Sequence, residues 1–213
     1  MLPLILLLVA GASSTAEASG DGCRIGCPLA LASYYFSAES NLTFIASLFN
    51  FSDYTLLLPY NPNITDPNYV LTGTRVSVPF NCSCRALPAD PASTFLAGSL
   101  PHRLSRGQTY GDVASEFANL TTAAWLEATN AFPADKLPAS GTINATVNCS
   151  CGDTMVSPRY GLFLTYPLWD GETLASAAEQ YGFSSPEQME LLRRYNPGMD
   201  GASGMGIVFI PVK

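Results

Sequence analysis

The chain is poor in basic residues and in histidine. Its 213 residues include 10 Lys and Arg, 17 Asp and Glu and one His, which gives a formal net charge of −7. Nucleic acids and anionic membranes attract basic surfaces, so this composition argues against both as partners. The lone His102 offers no Ser–His–Asp set, and we find no carboxylate pair, Gly-rich phosphate loop or kinase motif. Catalysis is therefore not expected of this chain.

Long hydrophobic runs are missing after the N-terminus. The apolar run Leu2 to Ala10 is followed by small residues and an A-x-A pattern at Ala16 to Ala18. This order is typical of a secretory signal peptide, although no Lys or Arg precedes the run. The run is about half of the ~20 residues that a membrane helix needs. We expect residues 1–18 to be removed in the secretory pathway.

Six cysteines form three close pairs, one C-x3-C and two C-x-C: Cys23 and Cys27, Cys82 and Cys84, Cys149 and Cys151. In a secreted protein, disulfides are the default interpretation. Structural zinc sites favour C-x2-C pairs with a histidine or a second pair nearby, so no metal site is predicted. In an extended C-x-C, the two side chains lie on one face about 7 Å apart and reach other partners more easily than each other. Spacing alone leaves 15 possible pairings open.

Seven N-x-S/T sequons agree with secretion. Five are predicted to carry glycans, and two directly precede half-cystines and are less favourable. The five are Asn41, Asn50, Asn63, Asn119 and Asn144, and the two are Asn81 and Asn148. The alternative is a set of chance matches in a chain rich in Asn and Thr.

A helical pattern occurs three times, each with apolar residues at i, i+3, i+4 and i+7. The three sets are Leu42, Ile45, Ala46 and Phe49; Tyr110, Val113, Ala114 and Phe117; and Leu174, Ala177, Ala178 and Tyr181. The third position is always Ala, which allows a neighbouring element to approach closely. Thr109 and Thr173 are the expected N-caps of the second and third of these helices.

A second helix follows each of these patterns and ends at an asparagine. The predicted helices are Tyr54–Tyr60, Thr122–Thr129 and Pro186–Tyr195, followed by Asn61, Asn130 and Asn196. Asparagine tolerates the left-handed conformation at a helix end, and we expect that conformation here. Short β-rich runs flank the helix pairs: Ala32–Phe36 with Gly73–Pro79, Gly98–Arg103 with Gly141–Val147, and Leu162–Leu168 with Gly206–Val212.

These patterns predict an α+β fold of three tandem βααβ units packed into one compact, disulfide-stapled body. The expected boundaries are residues 23–84, 97–151 and 162–213. A unit of about 50 residues has a small core and marginal stability alone. Disulfides would supply the missing stability, and the short joints between the units argue against a flexible array.

The units resemble a known module. Strand–helix–helix–strand units with the endings PYNPNI and RYNPGM resemble LysM modules. The order C-x3-C, LysM, C-x-C, LysM, C-x-C, LysM is similar to that of plant LysM receptor-like kinase ectodomains. The stretches LALASYYF, ANLTTAAWLEATN, NATVNCSCGD, YGLFLTYPL and RRYNPG resemble the chitin elicitor receptor kinase group and its Nod-factor receptor relatives. The resemblance extends from Cys23 to Lys213.

The resemblance implies a disulfide pairing, a ligand and a location. The pairs would be Cys23–Cys84, Cys27–Cys151 and Cys82–Cys149. The ligand would be a chito-oligosaccharide or a lipo-chito-oligosaccharide, and a LysM co-receptor would be the protein partner. The chain would lie on the outer face of the plasma membrane, without a cofactor, and a membrane segment and a kinase domain would follow Lys213.

The family's binding groove falls on the second unit, between the stretches Leu104–Tyr110 and Phe132–Leu137. Carried over, the site residues are Ser105, Arg106, Gly107, Gln108, Thr109, Tyr110, Ala123, Phe132, Ala134, Lys136 and Leu137. Small side chains and loop backbone suit the amide and hydroxyl groups of N-acetyl sugars, and Arg106 and Gln108 would offer donors. Tyr110 has the alternative role of a core aromatic. Two other functions stay open: a soluble chitin-binding co-receptor or scavenger, and a secreted wall hydrolase.

Overall fold

The computed structural model describes Cys23, residues 26–151 and residues 161–212. The predicted signal peptide and most of the second joint lie outside the described residues. The first unit contains β1 (Cys27–Tyr35), α1 (Leu42–Leu48), a 3₁₀ helix (Tyr54–Tyr60) and β2 (Arg75–Ala86). The second contains β3 (Thr94–Leu104), α2 (Tyr110–Glu116), α3 (Ala123–Thr129), a short 3₁₀ turn (Ala134–Lys136) and β4 (Gly141–Asn148). The third contains β5 (Leu162–Pro167), α4 (Leu174–Gln180), α5 (Pro186–Tyr195) and β6 (Ile207–Val212).

All six strands belong to one sheet, in the order β4-β3-β2-β1-β5-β6. β2 is long enough to pair twice: its first part pairs antiparallel with β1 of its own unit, and Ser83–Ala86 pairs with β3 of the next unit. The third unit joins through a short parallel pairing, in which Leu31 and Ala32 of β1 face Leu164 and Thr165 of β5. The units therefore share backbone hydrogen bonds as well as disulfides. In the part of the chain described here, no helix has the length and hydropathy needed to cross a bilayer.

The helix starts follow the sequence. Thr109 and Thr173 cap α2 and α4, each in a capping box that satisfies two otherwise unpaired backbone donors. The second helix of the first unit is a 3₁₀ helix, since Pro59 lies inside it and lacks the N–H that an α-helical turn requires. The recurrent alanines lie where the first helix of each unit ends. The carbonyls of Ala46, Ala114 and Ala178 each accept a hydrogen bond from the backbone N–H five residues later.

The asparagines after the second helices do not adopt the predicted left-handed conformation. Their φ angles are −134° at Asn61, −118° at Asn130 and −129° at Asn196. Each side chain instead donates from Nδ2 to the carbonyl four residues earlier and to a carbonyl of the closing strand, and accepts an N–H from that strand. We call this three-bond arrangement the asparagine clasp. The clasp ties the end of the second helix to the last strand of the same unit, which is β2, β4 or β6. This shared role explains why an asparagine recurs at the position.

The left-handed conformation is found instead after the first helix of each unit. Asn50 and Asn119 have φ values of 61°, and Gly182 in the third unit has 79°. A glycine at the third of these positions fits this pattern, because glycine adopts positive φ without steric cost. Asn50 and Asn119 are exposed sequon asparagines, so the two roles coincide.

The core is divided unequally among the units. One cluster of buried side chains serves the first and second units together, and a smaller one lies within the third unit and reaches Leu31 of β1. The disulfides are Cys23–Cys84, Cys27–Cys151 and Cys82–Cys149, the same three pairs that the resemblance implies. Three cysteine sulfurs, from Cys27, Cys82 and Cys151, lie within 4.8 Å of one another. All three are in disulfides, so they are not available as thiolate ligands for a metal.

The third unit carries no cysteine after Cys151, and a polar cluster fastens it to the first unit. The Arg75 guanidinium lies 4.0 Å from the ring centroid of Tyr166 and forms an ion pair with Glu172. Tyr35 of β1 stacks on Trp169 with ring centroids 4.1 Å apart. We call these five residues the junction cluster.

Charge and hydrogen bonding within the junction cluster shift two pKa values. Burial alone would raise the pKa of Glu172, but hydrogen bonds from Tyr166 and the Trp169 amide, together with the charge of Arg75, leave it lowered. Burial, followed by the hydrogen bond to Glu172, raises the pKa of Tyr166. Glu172 is therefore ionised and Tyr166 is a neutral donor near pH 7.

Candidate functional site

The first stretch of the predicted groove is a tight turn between β3 and α2. The Gln108 N–H donates to the Ser105 carbonyl at 3.1 Å, which closes a four-residue turn. Gly107 occupies its third position with φ of 80°, and open space surrounds the place where a Cβ would lie. A glycine is required here for backbone conformation, since an L side chain at this φ is strained. Arg106 is exposed at the tip of the turn.

Gln108 holds this turn against the body of the second unit. Its Oε1 accepts the Ser105 N–H at 3.0 Å and lies 3.3 Å from His102 Nε2. Its Nε2 donates to Glu116 Oε1 at 2.7 Å, and Glu116 also lies 3.6 Å from His102. Of the donors expected of Gln108, one N–H is therefore already engaged by Glu116. Its side chain is a brace, because both ends of the amide already have partners.

Tyr110 is a buried residue that connects the two stretches through its hydroxyl group. The residue is only 2% exposed, and its hydroxyl donates to the Phe132 carbonyl at 2.8 Å. Burial, followed by the charge of Glu127, raises the pKa of this hydroxyl, which stays a donor. Tyr110 thus fulfils the core alternative and is no surface for a ligand. Next to it, hydrogen bonds from the backbone and side chain of Thr109 lower the pKa of Asp112.

The second stretch is held by a carboxylate on α3. Glu127 Oε1 accepts the Ala134 N–H at 2.8 Å, and the Lys136 N–H donates to the Pro133 carbonyl at 2.9 Å. Ala123 is exposed four residues before Glu127, so both lie on the same face of α3. The predicted residue Ala123 therefore lies on the face of α3 that supports the second stretch.

The predicted site residues divide by exposure. Gln108 and Leu137 are half-buried, and Leu137 packs on the core. Eight are exposed: Ser105, Arg106, Gly107, Thr109, Ala123, Phe132, Ala134 and Lys136. The sequence analysis did not identify His102, Glu116 and Glu127 as supports. Glu127 alone left a signal, since it stands one helical turn after Ala123 on α3.

The two stretches of the predicted groove expose side chains that can form hydrogen bonds. Three nearby carboxylates already accept hydrogen bonds: Asp112 from Thr109, Glu116 from Gln108 and Glu127 from Ala134. Phe132, which is 40% exposed, offers an aromatic side chain. Exposed hydroxyl, guanidinium and aromatic groups are of the kinds that suit a neutral, hydroxylated ligand.

Among the described residues, cavities lie outside the predicted groove, and two of them are the larger. One, of about 450 Å³, lies on the first unit between the stretches that follow β1 and precede β2, and its lining includes Asn41, Tyr54 and Asn68. By the repeat, this is the place that the predicted groove occupies on the second unit. The other, of about 390 Å³, lies where the first and third units meet, and its lining includes Tyr60 and Tyr181.

The chain is similar to known receptor kinases over its whole length. A family model described as a LysM domain matches residues 164–211, which lie in the third unit. LysM domain receptor-like kinase 10 of Oryza sativa subsp. japonica is 64% identical over 220 residues, covering 100% of this chain and 36% of the relative. Chitin elicitor receptor kinase 1 of Arabidopsis thaliana is 44% identical over 197 residues, covering 89% of this chain and 30% of the relative.

A solved structure agrees with these relatives. The crystal structure of the ectodomain of a receptor-like kinase is 43% identical, with a TM-score of 0.76, and covers 90% of this chain and 94% of that chain. The chain spans about a third of the length of the two curated relatives. It therefore belongs to the LysM receptor-like kinase family, and its described residues form a three-unit ectodomain of that family.

Proposed function

We propose that this ectodomain binds chito-oligosaccharides, chains of β-1,4-linked N-acetylglucosamine, for a plant receptor kinase in immune or symbiotic signalling. The observation that carries this proposal is the 44% identity, across most of the chain, to a relative named for chitin elicitor perception. Binding takes place outside the cell, at the outer face of the plasma membrane. The three disulfides support that location.

We further propose that the sugar binds on the second unit, in the groove between Ser105–Tyr110 and Phe132–Leu137. Ser105 and Thr109 supply hydroxyl groups, Arg106 and Lys136 supply donors at the edges, and Phe132 supplies an aromatic face. Tyr110, Gln108 and Glu127 hold the two stretches at a fixed separation. Because the two stretches are already fixed before the sugar binds, less conformational entropy is lost on binding, which favours affinity.

Ligand binding would couple to association with a LysM co-receptor. A lipo-chito-oligosaccharide is the second candidate ligand, and an observation on the first unit favours it. Tyr69 and Leu71 are 74% and 63% exposed, and both belong to one short stretch beside the first-unit cavity. Exposed apolar side chains of this size are suitable contacts for an acyl chain.

Ala134→His tests the groove. The substituted side chain fills the groove at an exposed position, so we expect calorimetric binding of a long chito-oligomer to fall below detection while the unfolding midpoint stays unchanged. The matched control is Ala175→His, at an exposed alanine on α4 of the third unit. Undiminished affinity in Ala134→His would refute the groove. A parallel titration with a lipo-chito-oligosaccharide compares the affinities of the two ligands. Release of shorter sugars from the chito-oligomer would show hydrolysis and would overturn the proposal that the chain only binds it.

A further inference from the structure

The cavity between the first and third units has the composition of a small ligand site. Its volume of about 390 Å³ falls within the range of roughly 300–1,000 Å³ typical of ligand pockets. The first unit contributes Tyr60, Asn63 and Thr74, and the third contributes Gln180 and Tyr181. Tyrosine rings together with hydroxyl and amide groups suit a sugar that carries an acetamido group.

One of the residues in its wall is a sequon asparagine. Asn63, followed by Ile64 and Thr65, is exposed at the third position of a turn that the Ile64 N–H closes onto the Asn61 carbonyl at 3.0 Å. Asn61 is itself fixed to β2 by the first asparagine clasp. Among the described residues, no hydrogen bond engages the Asn63 side chain. The amide is therefore held next to the third unit on a fixed turn and is open to modification.

We propose that Asn63 carries an N-linked glycan whose innermost N-acetylglucosamine lies in this cavity and connects the first unit to the third. The attachment is an ordinary transfer in the secretory pathway from a lipid-linked oligosaccharide diphosphate. The bond between sugar C1 and the diphosphate oxygen breaks, a bond between C1 and Asn63 Nδ2 forms, and Nδ2 loses one proton. The lipid diphosphate is the leaving group.

A glycan in this cavity would give the third unit a covalently anchored contact with the first unit, which the disulfides do not provide. The disulfides hold the first and second units together, whereas the third unit is attached without one, through the β1–β5 pairing, the packing of Leu31, a hydrogen bond from Thr165 to the Asn148 carbonyl and the junction cluster. A sugar covalently held on Asn63 faces Gln180 and Tyr181 at a high effective concentration, so even weak contacts are occupied. A smaller cavity of about 260 Å³ also has Asn63 in its lining, but all of its lining residues belong to the first unit, so a sugar placed there would not connect two units.

The experiment uses the whole secreted chain from a eukaryotic host. Peptide mapping by mass spectrometry first measures the occupancy of Asn63. The glycans are then either cut to a single N-acetylglucosamine by an endoglycosidase or removed completely by an amidase, which hydrolyses the side-chain amide and leaves aspartate. Thermal unfolding is measured for wild type, for Asn63→Gln and for Asn63→Asp, which carries the same new carboxylate. Thr65→Ala removes the sequon but keeps the asparagine. Asn144→Gln is the matched control, at an exposed sequon on the edge strand β4.

We expect the single-sugar form to keep the wild-type midpoint and complete removal to lower it by about 2–4 °C, a shift typical of losing one good contact in a chain of this size. Asn63→Gln and Thr65→Ala should show the same fall in the unfolding midpoint, and glycan removal should lower their midpoints no further. Asn144→Gln should keep the wild-type midpoint. Tyr181→Ala should abolish the difference between glycosylated and stripped protein. An unoccupied Asn63, an equal loss in the single-sugar form, or no loss at all overturns the proposal.

Discussion

Replacing Asn196 removes the most buried of the three asparagine clasps. The residue is only 3% exposed, and its three bonds are to the Leu192 carbonyl at 2.9 Å, the Phe209 carbonyl at 2.9 Å and the Phe209 N–H at 2.6 Å. At about 1 kcal/mol net for each bond, Asn196→Ala should cost about 3 kcal/mol of unfolding free energy. That is a large fraction of a typical domain stability of roughly 5–15 kcal/mol.

The assay is urea unfolding with the disulfides intact, followed by tryptophan fluorescence. The loss should appear as a lower midpoint at an unchanged slope. Asn130→Ala is the internal control, because it removes the same three bonds from a half-buried site where water can replace them. We expect it to cost about half as much. A loss below about 1 kcal/mol for Asn196→Ala, or an equal loss in the two variants, would refute the argument that burial gives the clasp its strength.

Asn196→Asp separates hydrogen bonding from size. An ionised carboxylate would face the Leu192 and Phe209 carbonyl oxygens that the amide donor now satisfies, whereas a protonated carboxyl can still donate to one of them. The folded protein therefore raises the pKa of the introduced group above its unfolded value of about 3.9. The variant should approach wild-type stability below a pH of about 3.9 and lose stability as the pH rises through the raised pKa. A pH-independent difference between variant and wild type would contradict this assignment.

Two further predictions concern the junction cluster and the brace. Because the pKa of Glu172 is lowered, its contribution to stability is present above its ordinary value of 4.5 and is lost as the pH falls through the lowered pKa. Glu172→Gln should therefore be less stable than wild type near pH 7 and show a shallower acid transition in circular dichroism; an unchanged acid limb would count against the ion pair with Arg75. Gln108→Ala releases the turn from Ser105 and Glu116, so we expect chito-oligomer affinity to fall about fivefold through lost preorganisation. The unfolding midpoint should barely move, and unchanged calorimetric affinity would show that the brace is not needed.

Local sequence signals predicted the helices well. The i, i+3, i+4, i+7 stripes gave the positions of α1, α2 and α4, and the caps Thr109 and Thr173 act within a few residues of themselves. Such features depend on helix geometry alone, so no knowledge of the rest of the fold is needed. The same locality misled the interpretation of Asn196. Asparagine often ends a helix by its backbone conformation, but here its partner is a strand 13 residues away.

The arrangement of the candidate site could be predicted only in part. The two stretches and Ala134 came from the family resemblance, and Tyr110 was already open to a core role because it lies in a helical stripe. The brace by Gln108 was hidden, since a glutamine in a loop gives no sign of whether its amide faces solvent or Glu116. That distinction depends on how the turn folds back over α2.

By itself, the sequence determined the repeat of three, the apolar stripes, the caps and the secretory chemistry of the cysteines and sequons. These are properties of neighbouring residues and of residue type. Tertiary structure alone decided how the units combine: β2 extends across the first joint to pair with β3, and β1 accepts β5 in parallel. It also brought Arg75 to Glu172, 97 residues apart, and Asn63 to the third unit. Contacts between distant segments depend on strand register and unit orientation, and a local pattern carries no record of either.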